Sequence, residues 1–347
     1  MKPLVTIAVP TLNRLRYLKE AVASGLAQTY PNVEVLISDD GSSDGTADWC
    51  RSLASADRKV RYQRNKTRRG LAGNWNALAD SARGRYMMLM GDDDRLLPDC
   101  VEKLMEAGHD EAHVVFSNHY LIDGEGRRLD EESIQQTRVY RRDILSPGRV
   151  PSAGTVVWQN SVPIPSLLRT EEVRRLRFKE DLNCPEIELF ARLAHEGGSF
   201  VFVPDYLTEY RTHLLSATGQ GLYMERLTEH LLRIHVTPEV ERYKREFMAY
   251  IIVNAVNRCL RQGQRDAARR FLKSDYYPKP FAKKQGDSSM IVGGQDRTSG
   301  PGFKSWGRKR ILKVTAHTLL QRACTALPAQ VGCPLYRLVY KIKAAAS

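Results

Sequence analysis

Short apolar runs and amphipathic stretches alternate along the N-terminal third of the chain. Residues 4–9 (Leu-Val-Thr-Ile-Ala-Val) are mostly apolar and rich in β-branched side chains, which reads as a first strand broken by Pro10. Leu18, Val22, Gly25 and Leu26 then fall on one face at helical spacing. Val33–Ser38 predicts a second strand, Val60–Gln63 a third, Arg85–Met90 a fourth and Val114–Ser117 a fifth, with a helix over Asn74–Ala82. Strands alternating with helices predict an α/β fold, a mostly parallel sheet with helices on both faces. Residues 123–165, rich in Gly, Pro and charge, read as loops and short strands. Glu186–His195 has helical spacing, Ser199–Val203 is strand-like, and helical texture from Glu225 through Leu272 forms a C-terminal extension.

Three polar clusters sit where three of these strands end: Pro10 to Asn13, Asp39 to Asp44, and Asp92-Asp93-Asp94 after the apolar run Tyr86–Met90. In open parallel sheets ligands bind beyond the carboxyl ends of the strands. Three adjacent carboxylates repel one another and raise one another's pKa. A hard divalent cation such as Mg²⁺ or Mn²⁺ removes that repulsion, takes oxygen ligands and keeps positions open for phosphate. Taken alone, the acidic triplet reads more readily as a solvated turn. Its coincidence with two other polar strand ends is what points to a ligand site.

Composition sets bounds on this picture. Mean hydropathy is −0.42 over 347 residues, and no window approaches the ~18 consecutive apolar residues of a membrane span. The N-terminal residues read as a first strand and not as a signal peptide. The six cysteines include no Cys-x-x-Cys pair, so neither a zinc site nor a disulfide framework is indicated, and a reducing, cytoplasmic setting is expected. A net charge of +13 calls for an anionic partner. Part of the excess is a property of the tail: beyond Asp296 there is no acidic residue, while Lys304, Arg308, Lys309, Arg310, Lys313, Arg322, Arg337, Lys341 and Lys343 accumulate. Residues 283–307 read as a flexible linker, and residues 308–347 carry two apolar stripes at helical spacing, the pattern of a basic amphipathic tail. Such a tail either lies on an anionic membrane at the inner face of the cytoplasmic membrane or docks on the core.

Several segments, in order, resemble glycosyltransferase family 2. They are Val9-Pro10-Thr11-Leu12-Asn13-Arg14, Gln28-Thr29-Tyr30-Pro31-Asn32-Val33-Glu34-Val35, Ser38-Asp39-Asp40-Gly41-Ser42-Ser43-Asp44-Gly45-Thr46, Gly73-Asn74-Trp75-Asn76, Ala82-Arg83-Gly84-Arg85-Tyr86 and Asp92-Asp93-Asp94-Arg95-Leu96-Leu97-Pro98-Asp99. The resemblance covers roughly residues 4–215. It implies a GT-A fold, in which the sheet binds a nucleotide-sugar donor and a divalent cation, Mn²⁺ or Mg²⁺, serves as cofactor. On that resemblance Asp40, with Asp39 beside it, contacts the nucleoside, and Pro10, Thr11, Asn13 and Asn74 belong to the donor site. Asp92-Asp93-Asp94 matches the family's DXD signature, with cation contact assigned chiefly to Asp94 and Asp93 and with Asp92 toward ribose or donor sugar. The family's catalytic base precedes an acid-x-x-Leu-x-x-Arg helix, and the register over Glu186-Ile187-Glu188-Leu189-Phe190-Ala191-Arg192 points to Glu186, where the family usually has Asp; Glu188 and Asp181 compete for the role. Leu207 to Ser216 resembles a segment ending in Tyr-Arg-x-His, in which Arg211 would hold diphosphate and His213 would complete the cation's shell or contact phosphate.

The implied organisation is a catalytic domain over residues 1–220, with a nucleotide-sugar half at 1–117 and an acceptor and base half at 118–220, then a helical region at 221–282, the linker and the tail. The implied activity is inverting transfer of a sugar to a hydroxyl of a lipid-linked glycan or glycolipid acceptor in surface polysaccharide assembly. A nucleotidyltransferase is the second enzyme reading, but Pro10 to Arg14 lacks the glycine-rich loop such a site needs, and no GxGxxG follows the first strand. A non-enzymatic nucleic-acid or membrane binder would account for the charge and leave the aspartate clusters unexplained, so no nucleic-acid partner is expected.

Overall fold

A computed structural model describes residues 2–108, 111–213 and 224–278. The N-terminal part follows the predicted alternation: β1 (Val5–Thr11), α1 (Leu15–Leu26), β2 (Val33–Asp39), α2 (Thr46–Ala56), β3 (Val60–Arg64), α3 (Gly70–Ser81), β4 (Tyr86–Leu89), the short β5 (Arg95–Leu96) and α4 (Cys100–Gly108). Next come β6 (Val114–Ile122), β7 (Arg128–Leu129), α5 (Asp130–Val139), β8 (Gly148–Arg149), α6 (Ala153–Trp158), β9 (Ser166–Arg169), α7 (Thr170–Leu176), α8 (Pro185–His195) and β10 (Phe200–Arg211). The chain then becomes helical, in α9 (Met224–Leu232), α10 (Pro238–Arg261) and α11 (Arg265–Leu272).

All strands join one sheet in the order β3-β2-β1-β4-β9-β6-β10-β5, with β7 paired to β6 and β8 to β10. The long ladders β1–β2, β2–β3, β1–β4 and β6–β10 are parallel. β9 is antiparallel to both β4 and β6 and joins the two parallel sets. Side chains alternate between two cores, as a pleated strand buried on both faces requires. Ala8, Leu36, Met87 and Leu89 face α3, α6, α7 and α8, whereas Val5, Ile7, Val9, Val35, Ile37 and Met88 face α1, α2 and α4.

Residues 123–165 depart from the expectation of loops and short strands, because α5 and α6 are helices. α5 offers little hydrophobic periodicity. It carries Asp130, Glu131 and Glu132 in its first turn and Arg138 in its last, charges that complement the helix dipole. Its buried face is polar: Ser133 Oγ accepts from the Leu121 amide at 2.8 Å, and Gln136 pairs with buried His119. β10 also outruns its predicted end, continuing through Pro204 with irregular register against β6 until Arg211.

The C-terminal helices break at Pro238, which starts α10, and at Gly263 (φ +73°) before α11. They share a core with the sheet, since Leu227, Leu231, Val240, Met248 and Ile251 pack in one cluster with Val156, Leu189 and Phe190. Among the described residues no helix is long and apolar enough to cross a membrane. The predicted linker at 283–307 and basic tail at 308–347 lie outside the described residues.

Candidate active site

The ends of β1, β2 and β4 are neighbours in the sheet, so the three polar clusters meet at one edge. Pro10 pairs with Ser38 and Thr11 with Asp39 in the β1–β2 ladder. Thr11 Oγ1 donates to Asp92 Oδ2 at 2.8 Å, linking the first cluster to the third. The Asn13 amide donates to Ser42 Oγ at 2.9 Å, and Asn13 Oδ1 accepts from the Ser43 amide at 2.7 Å. Asn13 has φ +54°, a left-handed conformation that asparagine tolerates better than most residues.

The two aspartates ending β2 are engaged by protein donors. Asp39 Oδ1 accepts from the amides of Gly41 (3.1 Å) and Ser42 (2.7 Å), and Oδ2 accepts from the Tyr62 hydroxyl at 3.0 Å. Asp40 Oδ1 accepts from Asn65 Nδ2 and the Arg69 amide, and Oδ2 from the Gly70 amide at 2.9 Å, so this carboxylate holds the entry to α3. Asn74 on α3 completes the floor: its Nδ2 donates to the Ser38 carbonyl and its Oδ1 accepts from Ser38 Oγ and Asn65 Nδ2.

The aspartate run is buried and crowded. Burial, with Asp93 beside it, pushes Asp92 up to about 6, and the same two causes hold Asp94 well above the usual carboxylate range. For Asp93 burial also acts upward, but the His213 hydrogen bond and the Arg14 guanidinium outweigh it and lower its pKa. Arg14 Nη1 bridges the run, 3.1 Å from Asp92 Oδ1 and 2.8 Å from Asp93 Oδ2. His213 Nε2 lies 2.8 Å from the same Asp93 oxygen. A Cβ on Gly91 would stand 2.8 Å from Asp93 Oδ1 and 2.9 Å from Asp94 Oδ2. Those two oxygens therefore converge on one small volume. Among the described residues no three His, Cys, Asp or Glu side chains form a ready cation cage. Two converging carboxylate oxygens with a nearby imidazole nonetheless fit a hard divalent cation that takes its remaining ligands from phosphate.

Arg211 is occupied differently from the diphosphate clamp expected of it. Its side chain is fully buried, with Nε donating to the Asp93 carbonyl (2.7 Å), Nη1 facing the carbonyls of Asp123 and Gly124 (both 3.2 Å), and Nη2 on Glu20 Oε2 (2.6 Å). Its amide donates to Asp94 Oδ1 at 2.9 Å. The residue shapes the aspartate loop from behind, with its guanidinium 4.8 Å from the Tyr17 ring centre.

The three carboxylates competing as base are separated by their partners. Glu188 is bound by Arg192 at 2.7 and 2.8 Å, and Asp181 by His230 at 3.0 Å. Glu186, in the first turn of α8 after Pro185, is half-buried, and its Oε2 is sealed from solvent with no hydrogen-bond partner. Burial raises it to about 7. The loop leading to it is fixed to α3 through Asn76, whose Oδ1 accepts from the Phe178 amide (2.9 Å) and whose Nδ2 donates to the Phe178 carbonyl (3.0 Å) and to Glu180 (3.1 Å). Arg14, Glu20, Gly91 and Asn76 were not singled out from the sequence. Arg14 and Asn76 stand inside quoted motifs, whereas Glu20 is one polar residue among several on α1 and carries no local signal.

A mostly parallel sheet flanked by helices, with polar strand ends gathered at one edge, is the architecture of the GT-A fold. Residues 6–154 match the family described as Glycosyl transferase family 2, and through this region the chain is similar to that family. EpsH of Bacillus subtilis is 26% identical over 291 residues, 78% of this chain and 80% of its own. The Campylobacter jejuni GalNAc(5)-diNAcBac-PP-undecaprenol beta-1,3-glucosyltransferase is 34% identical over 132 residues, and GlyG of Streptococcus pneumoniae 32% over 124. These two alignments span only 42% and 41% of those proteins and 38% and 35% of this chain. Among solved structures, S. aureus TarS 1-349 in complex with UDP-GlcNAc superposes with TM-score 0.57 at 14% identity, covering 78% of this chain and 79% of that one. The mannosyltransferase PcManGT from Pyrobaculum calidifontis, in complex with GDP-Man and Mn²⁺, superposes with TM-score 0.56 at 15% identity, covering 93% and 88%.

Proposed function

We propose that the chain is a metal-dependent, inverting glycosyltransferase. It moves a sugar from a nucleotide-sugar donor to a hydroxyl of a lipid-linked glycan in surface polysaccharide assembly. The observation that carries this reading is the convergence of Asp93 Oδ1 and Asp94 Oδ2 above Gly91, at the edge where β1, β2 and β4 end. The GDP-Man and Mn²⁺ bound by one structural neighbour support a donor and a cation at this edge. The undecaprenol-linked substrate in one relative's name supports a lipid-linked acceptor.

In this reading Asn13, Asp39, Asp40 and Asn74 build the nucleoside pocket, and Thr11 and Asp92 face the ribose or donor sugar. Asp93, Asp94 and His213 hold the cation, which when bound supplies positive charge against the departing diphosphate. Arg211 and Glu20 position the aspartates without touching substrate. Glu186 takes the proton from the acceptor hydroxyl as that oxygen attacks the anomeric carbon from the side opposite the diphosphate. A carboxylate whose pKa lies near neutrality suits that task, because it binds the proton firmly and is still ionised in part at working pH.

The test is a thermal-shift screen of UDP-, GDP- and dTDP-sugars with and without Mn²⁺, on the native chain and on Asp94→Asn. A cation-dependent rise with one nucleotide, lost in the variant, is the expected result. Donor binding indifferent to both Mn²⁺ and the variant overturns the cation-dependent reading.

A further inference from the structure

Arg14 bridges two members of the aspartate run, with Nη1 3.1 Å from Asp92 and 2.8 Å from Asp93. Its side chain is one-quarter exposed, so it lies at the mouth of the cluster and is not locked beneath it. Arg211, by contrast, is sealed behind the cluster and contacts it through the Asp93 carbonyl and its own amide. The front of the cluster therefore carries a counter-charge of its own, on the same Asp93 carboxylate that a bound cation would share.

We propose that Arg14 is an internal counter-ion that competes with the divalent cation for the aspartate run and makes cation binding depend on the nucleotide. This rests on the reading of Asp93 and Asp94 as cation ligands. A cation arriving alone meets carboxylates already partly neutralised, and it must either displace the guanidinium or sit beside a like charge. A nucleoside diphosphate changes the balance. It brings at least two negative charges to the mouth of the cluster and offers Arg14 a new bidentate partner, for which a guanidinium is well shaped. The guanidinium leaves Asp93 for phosphate, and the carboxylate is released to the cation. Cation and diphosphate then strengthen each other's binding, and the coupling is reciprocal. The arrangement keeps a buried acidic cluster neutralised between turnovers.

The experiment is titration of the native chain, Arg14→Gln and Arg14→Lys with Mn²⁺, followed by isothermal calorimetry and by the Mn²⁺ electron paramagnetic resonance signal, alone and with saturating UDP, GDP or dTDP. Arg14→Gln is expected to bind Mn²⁺ alone about ten-fold more tightly, the effect of removing one charge-assisted pair. It should also lose most of the gain that the nucleotide confers on the native chain. Arg14→Lys keeps the charge and should stay near the native cation affinity. Equal Mn²⁺ affinity in native and Gln chains, or a nucleotide gain that survives in Arg14→Gln, overturns the proposal while leaving the cation site standing. Identical behaviour of the Lys and Gln variants overturns it too, since charge would then not be the cause. No Mn²⁺ binding to the native chain with any of the three nucleotides removes the cation site and this proposal together.

Discussion

Glu186 combines a sealed, unpartnered oxygen with a pKa raised to about 7, against an ordinary glutamate value of 4.5. The sign of the consequence is fixed. The folded chain holds this proton more firmly than the unfolded chain, so the stability that Glu186 contributes is full below pH 4.5 and is lost as pH rises through 7. At 1.36 kcal/mol per unit the loss is on the order of 3 kcal/mol. Glu186→Gln is therefore expected to melt higher than the native chain at pH 8 and to match it near pH 4, while retaining donor binding and losing turnover. The native kcat should fall as pH drops through about 7, because the protonated carboxyl cannot accept the acceptor's proton. A Gln variant with native turnover, or a flat pH profile, removes Glu186 as base. At Gly91 the expectation is opposite in kind. Gly91→Ala places a methyl group where Asp93 Oδ1 and Asp94 Oδ2 converge, so Mn²⁺ binding should be lost with the melting temperature little changed. Retained Mn²⁺ affinity in that variant would mean the cation lies elsewhere.

At the scale of elements, α3 spans the two halves of the site. Asn74 ties it to the end of β2 through Ser38, and Asn76, two residues on, grips the Phe178 backbone in the loop before α8. The end of β2 and the loop before Glu186, the donor floor and base of the proposed function, are thus referenced to one helix. Trp75 between them packs edge-on against Phe178, with ring centres 5.2 Å apart. Asn76→Ala leaves the buried Phe178 amide and carbonyl without that partner, which should cost about 1–3 kcal/mol. Because Asn76 acts on the base loop, kcat is expected to fall ten-fold or more (~1.4 kcal/mol in the barrier) while donor KM stays within about two-fold. Steady-state kinetics at varied donor concentration separates the two, and a purely KM effect would contradict the assignment of α3 as a strut. α5 illustrates why elements in the 123–165 region were hard to read. Its inner face is Ser133, Gln136 and Thr137, buried because each finds a polar partner, so hydrophobic spacing carries no trace of it.

For the whole molecule, charge is unevenly placed. The run of lysines and arginines beyond Asp296, with no acid among them, belongs to residues outside those described. Basic amphipathic segments bind anionic bilayers through charge and buried apolar area together. Deleting residues 305–347 is expected to lower the fraction of the protein that sediments with anionic vesicles while sparing transfer to a soluble acceptor. An unchanged pelleted fraction would remove the membrane role of the tail.

The sequence by itself determined the alternation of strands and helices and the location of the site. Short apolar runs alternating with amphipathic helices enter a sheet covered on both faces, and polar clusters at their carboxyl ends gather at one edge. That Asp40 and Asp92 to Asp94 gather at one edge was legible for that reason, whereas Asn74, on α3, was indicated only by the family resemblance. Tertiary structure decided which carboxylate is left without a partner and which cation faces which acid. Glu186, Glu188 and Asp181 are similar in sequence, and only packing gives Arg192 to one, His230 to another and leaves one oxygen of the third without a partner. Arg211 looked like a ligand clamp until β10 carried it beneath the aspartate loop, and Arg14 looked like an ordinary residue of a loop until that loop set it between Asp92 and Asp93. Periodicity records which face of an element is buried; the pairing of charges depends on elements far apart in the chain, and local order contains no record of it.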